Sequence, residues 1–122
     1  MNIPSKSRLL LFTCAIAIAL LAGCKHDLPP GKSDSELTPT ELHGKKLFVA
    51  RCAACHDAYT TKPFHGPGLA GMMRRQYLPS GAPANDERVR AVIVHGRTNM
   101  PAFGNSLDDL QINDLIAYLH TL

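Results

Sequence analysis

The sequence predicts an all-α domain of short helices joined by long loops. Three stretches pair a helix-capping signal with an apolar stripe of helical period, and they start near Thr38, Asn85 and Ser106. Nowhere do apolar and polar residues alternate convincingly as a strand requires, and no hairpin turn signal is present. Between the first two stretches, residues 57–84 (DAYTTKPFHGPGLAGMMRRQYLPSGAPA) are rich in glycine and proline and read as loop. That is a large share of loop for a small core, unless something other than side chains fills the interior.

The chain opens outside this domain. Residues 1–10 carry Lys6 and Arg8 and no acid, and residues 9–21 (LLLFTCAIAIALL) are uncharged and apolar. Thirteen helical residues rise about 20 Å, short of a hydrocarbon core, so the run reads as a secretory signal. It ends in LAGC, residues 21–24, which resembles the lipobox of bacterial lipoproteins. The resemblance implies that residues 1–23 are a signal peptide, removed, and that Cys24 becomes the lipidated first residue. The plainer alternative is an ordinary signal peptide that happens to end in cysteine. Residues 25–37 (KHDLPPGKSDSEL) are polar and hold Pro29, Pro30 and Gly31, so residues 24–37 read as a flexible tether. Thirteen such residues reach at most about 45 Å.

The domain proper is expected over residues 38–122. Thr38 and Glu41 form a capping box, with Pro39 at the first helical position. Leu42, Phe48 and Val49, with Gly44 and Leu47 between them, make an apolar face that runs into Cys52. A short helix is expected within residues 69–76. Asn85 caps DERVRAVIVH, whose stripe is Val89, Val92 and Ile93, and Gly96 stops it. Ser106 is the expected cap of the last helix, with Asp109 at its third position. Leu107, Leu110, Leu115, Tyr118, Leu119 and Leu122 are its apolar residues.

Charge and cysteine usage narrow the function. The formal charge of +3 over 122 residues falls to +1 once Lys6 and Arg8 are removed, which is no nucleic-acid footprint. A mature chain of 99 residues is small enough to need help from disulfides, a metal or a cofactor. Of the four cysteines, Cys14 leaves with the signal and Cys24 is committed to lipid. Cys52 and Cys55 remain, in CAACH, so a disulfide framework is excluded.

Three chemistries compete for CAACH. Zinc needs about four ligands, and the histidines at 43, 65, 95 and 120 match no common finger spacing. A redox dithiol expects a βαβ setting, which is not visible. Covalent haem is the standing interpretation of C-x-x-C-H: two thiols about one helical turn apart can each add across a porphyrin vinyl group, and His56 is delivered beneath the iron. The exported chain suits this chemistry, and haem answers the size problem by giving short helices a large apolar object to pack around.

From Cys52 onward the sequence resembles the small single-haem class I cytochromes c, over about residues 42–122. Four segments carry the resemblance: GKKLFVARCAACH, with Gly44 and Phe48 before the haem motif; GPGLAG at 66–71; GRTNMPAF, with methionine before proline; and DLIAYL at 114–119. It implies the cytochrome c fold, three to four short helices with long loops wrapped around one haem c per chain bound through Cys52 and Cys55. It also implies that Gly44 lets the last helix cross the first closely, with Phe48, Leu115 and Tyr118 packed there. Pro67 would offer its carbonyl to the Nδ1–H of His56, the proximal iron ligand.

One axial place is left. His95 falls at a helix C-terminus, where an imidazole is favoured by the helix dipole and needs no metal. Met100 sits on a loop stiffened by Pro101 and matches the family's axial methionine. Met72 and Met73 are expected to pack on the haem face or to be loop residues. A thioether ligand raises the reduction potential relative to a second histidine.

The expected function is therefore one-electron transfer, not enzymatic catalysis, between redox protein partners such as an oxidase, reductase or dehydrogenase. No nucleic acid or small-molecule substrate is expected. The alternatives are a haem subunit of a larger oxidoreductase complex, or a ligand-binding sensor or peroxidase in which Met100 is displaced. Arg74, Arg75 and Arg97 are candidates for haem propionates or an acidic partner. Lys45, Lys46, Lys62 and Arg51 are candidates for a docking surface. The lipid places the protein in a bacterial cell envelope facing the periplasm. Lys25 after the lipidated cysteine leaves the outer membrane open as its home.

Overall fold

The computed structural model describes residues 30–122; the expected signal peptide, Cys24 and the first part of the tether lie outside the described residues. Three helices form the frame: α1 (Pro39–Arg51), α2 (Asp86–His95) and α3 (Asp109–Leu119). Short 3-10 turns occupy Asp34–Glu36 and Met72–Arg74. Among the described residues there is no strand, only two isolated bridges.

The caps form as their chemistry dictates. Thr38 accepts from the Glu41 amide while Glu41 accepts from the Thr38 amide (2.7 Å), closing the capping box with Pro39 at the first position. Asn85 accepts from the Arg88 amide at 2.9 Å, and Gly96 ends α2 at φ +70°, a conformation that favours glycine. The last helix begins later than expected. Asp108 caps it, accepting from the Gln111 amide at 2.8 Å, and Gln111 returns a bond to the Asp108 amide at 3.0 Å. Ser106 instead donates to the Phe103 carbonyl in the preceding turn. A carboxylate answered by a glutamine at the third helical position outcompetes the lone hydroxyl.

The core is built where α1 crosses α3. A Cβ on Gly44 would overlap the Asp114 carbonyl and stand 2.9 Å from Tyr118 Cβ, so a glycine is required for this close approach. One turn on, the Phe48 ring meets Tyr118 with centroids 5.5 Å apart, an aromatic contact worth about 1 kcal/mol beyond its burial. Ile112 and Leu115 are fully buried beside it. His43 Nδ1–H donates to Asp114 Oδ2 at 2.6 Å across the same crossing. Two of the expected apolar faces are narrower than the sequence suggests. Val49 is 62% exposed and Leu110 is 74% exposed. α1 buries only the Gly44–Phe48 line, and α3 turns Ile112 and Ile116 inward in place of Leu110.

α2 leans on α3 with the two helices antiparallel. His120 Nε2–H, just past α3, donates to Asp86 Oδ1 at the start of α2 (2.7 Å), and Arg90 reaches Asp109 and Asn113. Val89 and Ile93 are buried on that side.

The tether expected over residues 24–37 is in part a packed element. The Lys32 amide donates to the Thr121 carbonyl at 2.8 Å, and Leu37 packs against the core. Polar composition concealed this, because the contacts are made by backbone and paired charges.

Substituting Gly44→Ala should lower unfolding free energy by at least about 2 kcal/mol, an overpacking cost at backbone, as measured by guanidinium titration of the haem-loaded protein. An unchanged midpoint would show that the crossing can relax.

Candidate functional site

The site grows out of the end of α1. Helical hydrogen bonding continues into the motif: the Cys52 amide donates to the Phe48 carbonyl (2.8 Å), and the Cys55 and His56 amides both donate to the Cys52 carbonyl (3.0 Å). Cys52, Cys55 and His56 therefore share a single turn. Both cysteines are free, Cys52 half-buried and Cys55 exposed. Burial, reinforced by the neighbouring Cys55, pushes the Cys52 thiol up to about 11, so it is a neutral thiol at neutral pH.

The following loop folds back over the histidine. Asp57 starts it with an Asx-turn, Oδ1 accepting from the amides of Tyr59 (2.8 Å) and Thr60 (3.1 Å). The Gly66 amide then donates to the Cys55 carbonyl and the Leu69 amide to the Asp57 carbonyl, each at 2.8 Å. These bonds bring Pro67 to His56, whose Nδ1 lies 2.9 Å from the Pro67 carbonyl oxygen. A carbonyl can only accept, so the imidazole proton is on Nδ1 and the Nε2 lone pair is left free. Gly66 lies flat on the ring: a Cβ there would stand 2.5 Å from Cε1 and 2.9 Å from Nδ1. Gly66 opens the GPGLAG segment, and the family resemblance assigns it no contact with the ring. A glycine directly before a carbonyl-offering proline is the signal that could have found it.

Met100 is held from both sides. Its amide donates to the Arg97 carbonyl (2.6 Å), and the Arg97 amide donates back to the Met100 carbonyl (2.9 Å). Thr98 inside this turn takes φ +43°, a left-handed conformation costing a non-glycine residue roughly 1–2 kcal/mol. Beyond Pro101, the amides of Phe103 and Gly104 donate to the carbonyls of Ile93 (2.9 Å) and Val94 (3.1 Å). The loop is thus stitched onto α2, with Met100 partly buried against the core. His95 is the last residue of α2 and is exposed. Met72 is buried in the core and Met73 packs against it.

The basic candidates separate. Arg75 Nη2–H donates to the Ala70 carbonyl at 2.8 Å, so it ties its own loop together. Lys45 is paired with Asp34, which neutralises it as part of a positive docking face. Arg51, Lys46, Lys62 and Arg97 are exposed.

A one-turn Cys-x-x-Cys-His unit with an oriented histidine, on an all-α frame, defines a haem-attachment site. Comparison with known proteins agrees. Residues 30–119 match the family described as cytochrome C oxidase, cbb3-type, subunit III. The chain is 33% identical over 110 residues to cytochrome c6 of Thermosynechococcus vestitus, covering 87% of this chain and 84% of that protein. It is 35% identical over 77 residues to the cytochrome bc1 complex cytochrome c subunit of Mycobacterium tuberculosis, covering 62% of this chain but 25% of that one. Among solved structures, cytochrome c6 from the diatom Phaeodactylum tricornutum superposes with a TM-score of 0.50 at 30% identity, covering 66% of this chain and 90% of that one. The chain belongs to the class I c-type cytochromes, electron-transfer proteins with an all-α fold and covalently bound haem c.

The residues present fit that group. Cys52 and Cys55 supply two unpaired thiols on one turn, and His56 keeps Nε2 free for a metal. A double Cys52→Ser/Cys55→Ser variant should lose haem staining on a denaturing gel, whereas each single variant should retain it through the remaining thioether. Stain surviving in the double variant would mean attachment elsewhere.

Proposed function

We propose that the protein is a membrane-tethered electron carrier facing the periplasm, in which His56 and Met100 are the axial ligands of the haem held by Cys52 and Cys55. Bound haem c supplies a one-electron Fe(III)/Fe(II) couple; the chain orients it and limits what else can reach it. The observation that carries this reading is that both axial candidates are immobilised, His56 by the Pro67 carbonyl and Met100 by a loop bonded to α2. A fixed ligand on each side suits electron transfer, because nothing need bind or leave, and it disfavours a sensor or peroxidase that needs an open place. Beside Met100 in the sequence, Asn99 is the one polar side chain that could meet an incoming ligand, and Pro101, Ala102 and Phe103 are apolar. Arg51, beside the motif, and Lys62, lining a cleft that also contains His56, leave exposed charge for steering an acidic redox partner. The LAGC segment ending an apolar run supports lipidation at Cys24.

A second reading, a haem subunit of a larger oxidoreductase, is favoured by the family description and by the bc1 relative, both named as parts of complexes. Mild solubilisation of membranes separates the two: a stoichiometric complex eluting with the haem supports the subunit, a lone cytochrome the carrier.

Replacing Met100→Ala should abolish the weak near-infrared band of ferric iron bound to a thioether, lower the reduction potential and allow rapid carbon monoxide binding to the reduced protein. His95→Ala should change none of these. A band that survives Met100→Ala refutes the ligand assignment. Cys24→Ser should move the protein from the membrane to the soluble periplasmic fraction.

A further inference from the structure

Residues 30–37 are bolted to the end of α3. The Lys32 amide donates to the Thr121 carbonyl at 2.8 Å. Gly31 lies against the chain end so closely that a Cβ would stand 2.5 Å from the Thr121 oxygen and 3.1 Å from Leu122 Cα. Lys32 Nζ pairs with Glu41 at 2.6 Å, and Asp34 pairs with Lys45, fastening the segment to α1. Glu36 Oε2 accepts from both the amide (2.8 Å) and the hydroxyl (2.5 Å) of Ser33, stiffening the turn between these anchors, and Leu37 closes it against the core. Backbone, charge and apolar contacts thus act together as a clasp.

The clasp changes the reach of the chain. If the leash ran free from Cys24 to Leu37 it could span about 45 Å; clasped at Gly31, the six peptide units from Cys24 to Pro30 span at most about 20 Å. A domain of about 90 residues has a radius of gyration near 12 Å, hence a diameter of about 32 Å and a half-circumference of about 50 Å. The longer leash nearly reaches around the molecule, and the shorter one cannot. The clasp also fixes which end the leash leaves from. It bonds the C-terminal end of α3, whereas residues 96–108, which carry Met100, join the end of α2 to the start of α3. Because α2 and α3 are antiparallel, these are opposite ends of the pair, a helix length or about 16 Å apart.

We infer that the end of the molecule formed by residues 30–34 and the C-terminus of α3 is its bilayer-facing surface, and that the clasp holds the Met100 loop away from the membrane, toward partners. This rests on the lipid-tether reading above. It makes the protein an oriented carrier, not one that tumbles on a long string.

Polarised absorption of the haem band tests this on the full lipidated, haem-loaded protein bound to oriented supported bilayers, together with hydrogen exchange at the Lys32 amide. The wild type should be dichroic, with the Lys32 amide protected. Inserting ten alternating Gly and Ser residues after Asp27 lengthens the leash to about 55 Å; it should leave Lys32 protected but abolish the dichroism. Gly31→Val should lose both the Lys32 protection, by tenfold or more, and the dichroism. Wild-type protein that is bound but isotropic overturns the inference, as does dichroism that survives either the insertion or loss of Lys32 protection. Protein that fails to bind the bilayer at all overturns the tether reading first, and this inference with it; the two failures are told apart by the amount of haem on the surface.

Discussion

The close backbone approach of Gly44 to the Asp114 carbonyl is the constraint from which the rest of the molecule follows. It sets the crossing of α1 over α3, and the crossing sets where α1 ends. Since the hydrogen bonding of α1 runs on into Cys52, the cysteine pair and His56 are delivered to one place by a contact two turns earlier in the helix. A larger residue at 44 would displace the site without touching it. The tilted Phe48–Tyr118 ring contact and the His43–Asp114 bond reinforce the same crossing from two sides. The exposed pair adds only a fraction of a kcal/mol, so packing carries most of the load.

A small domain with long loops has to earn its order somewhere. Here the loops are fastened mainly by backbone bonds: Gly66 to Cys55, Leu69 to Asp57, Phe103 to Ile93, Gly104 to Val94. Such bonds ask little of side chains, which leaves His56 and Met100 to be shaped by geometry alone. The cost is local strain, visible at Thr98, where the turn before Met100 takes a left-handed conformation. Strain at that position makes sense if the loop's task is to keep one thioether in place.

The segment before α1 shows the same economy. Its residues are polar and hydrophilic, yet it is ordered by a main-chain bond to Thr121 and by ion pairs to α1. Burial pushes the Tyr118 phenol well above its ordinary range, helped by a hydrogen bond with Tyr59. The segment that precedes α1 and the C-terminal end of α3 therefore meet on one face of the folded core.

Much of this was legible in the residues themselves. Local signals with a short range fixed the starts of α1 and α2, the stop at Gly96, the single turn of CAACH and the absence of strands among the described residues, because capping and helical spacing depend only on neighbours a few positions away. The family pattern added Gly44 and Pro67, and the close helix approach and the bond to His56 are both present. What the sequence left undecided needed residues far apart in the chain. Asp108 displaced Ser106 as the cap of α3 by pairing with Gln111, two equally short signals that only packing of the preceding turn could rank. Val49 and Leu110 face solvent because the crossing at Gly44 rotates both helices about their axes, which no apolar count reveals. The contact of Gly66 with the His56 ring and the clasp of Gly31 and Lys32 onto Thr121 join segments 10 and about 90 residues apart. Backbone meeting backbone leaves no side-chain signature, so the tertiary structure alone decided that residues 31 and 32 pack against Thr121.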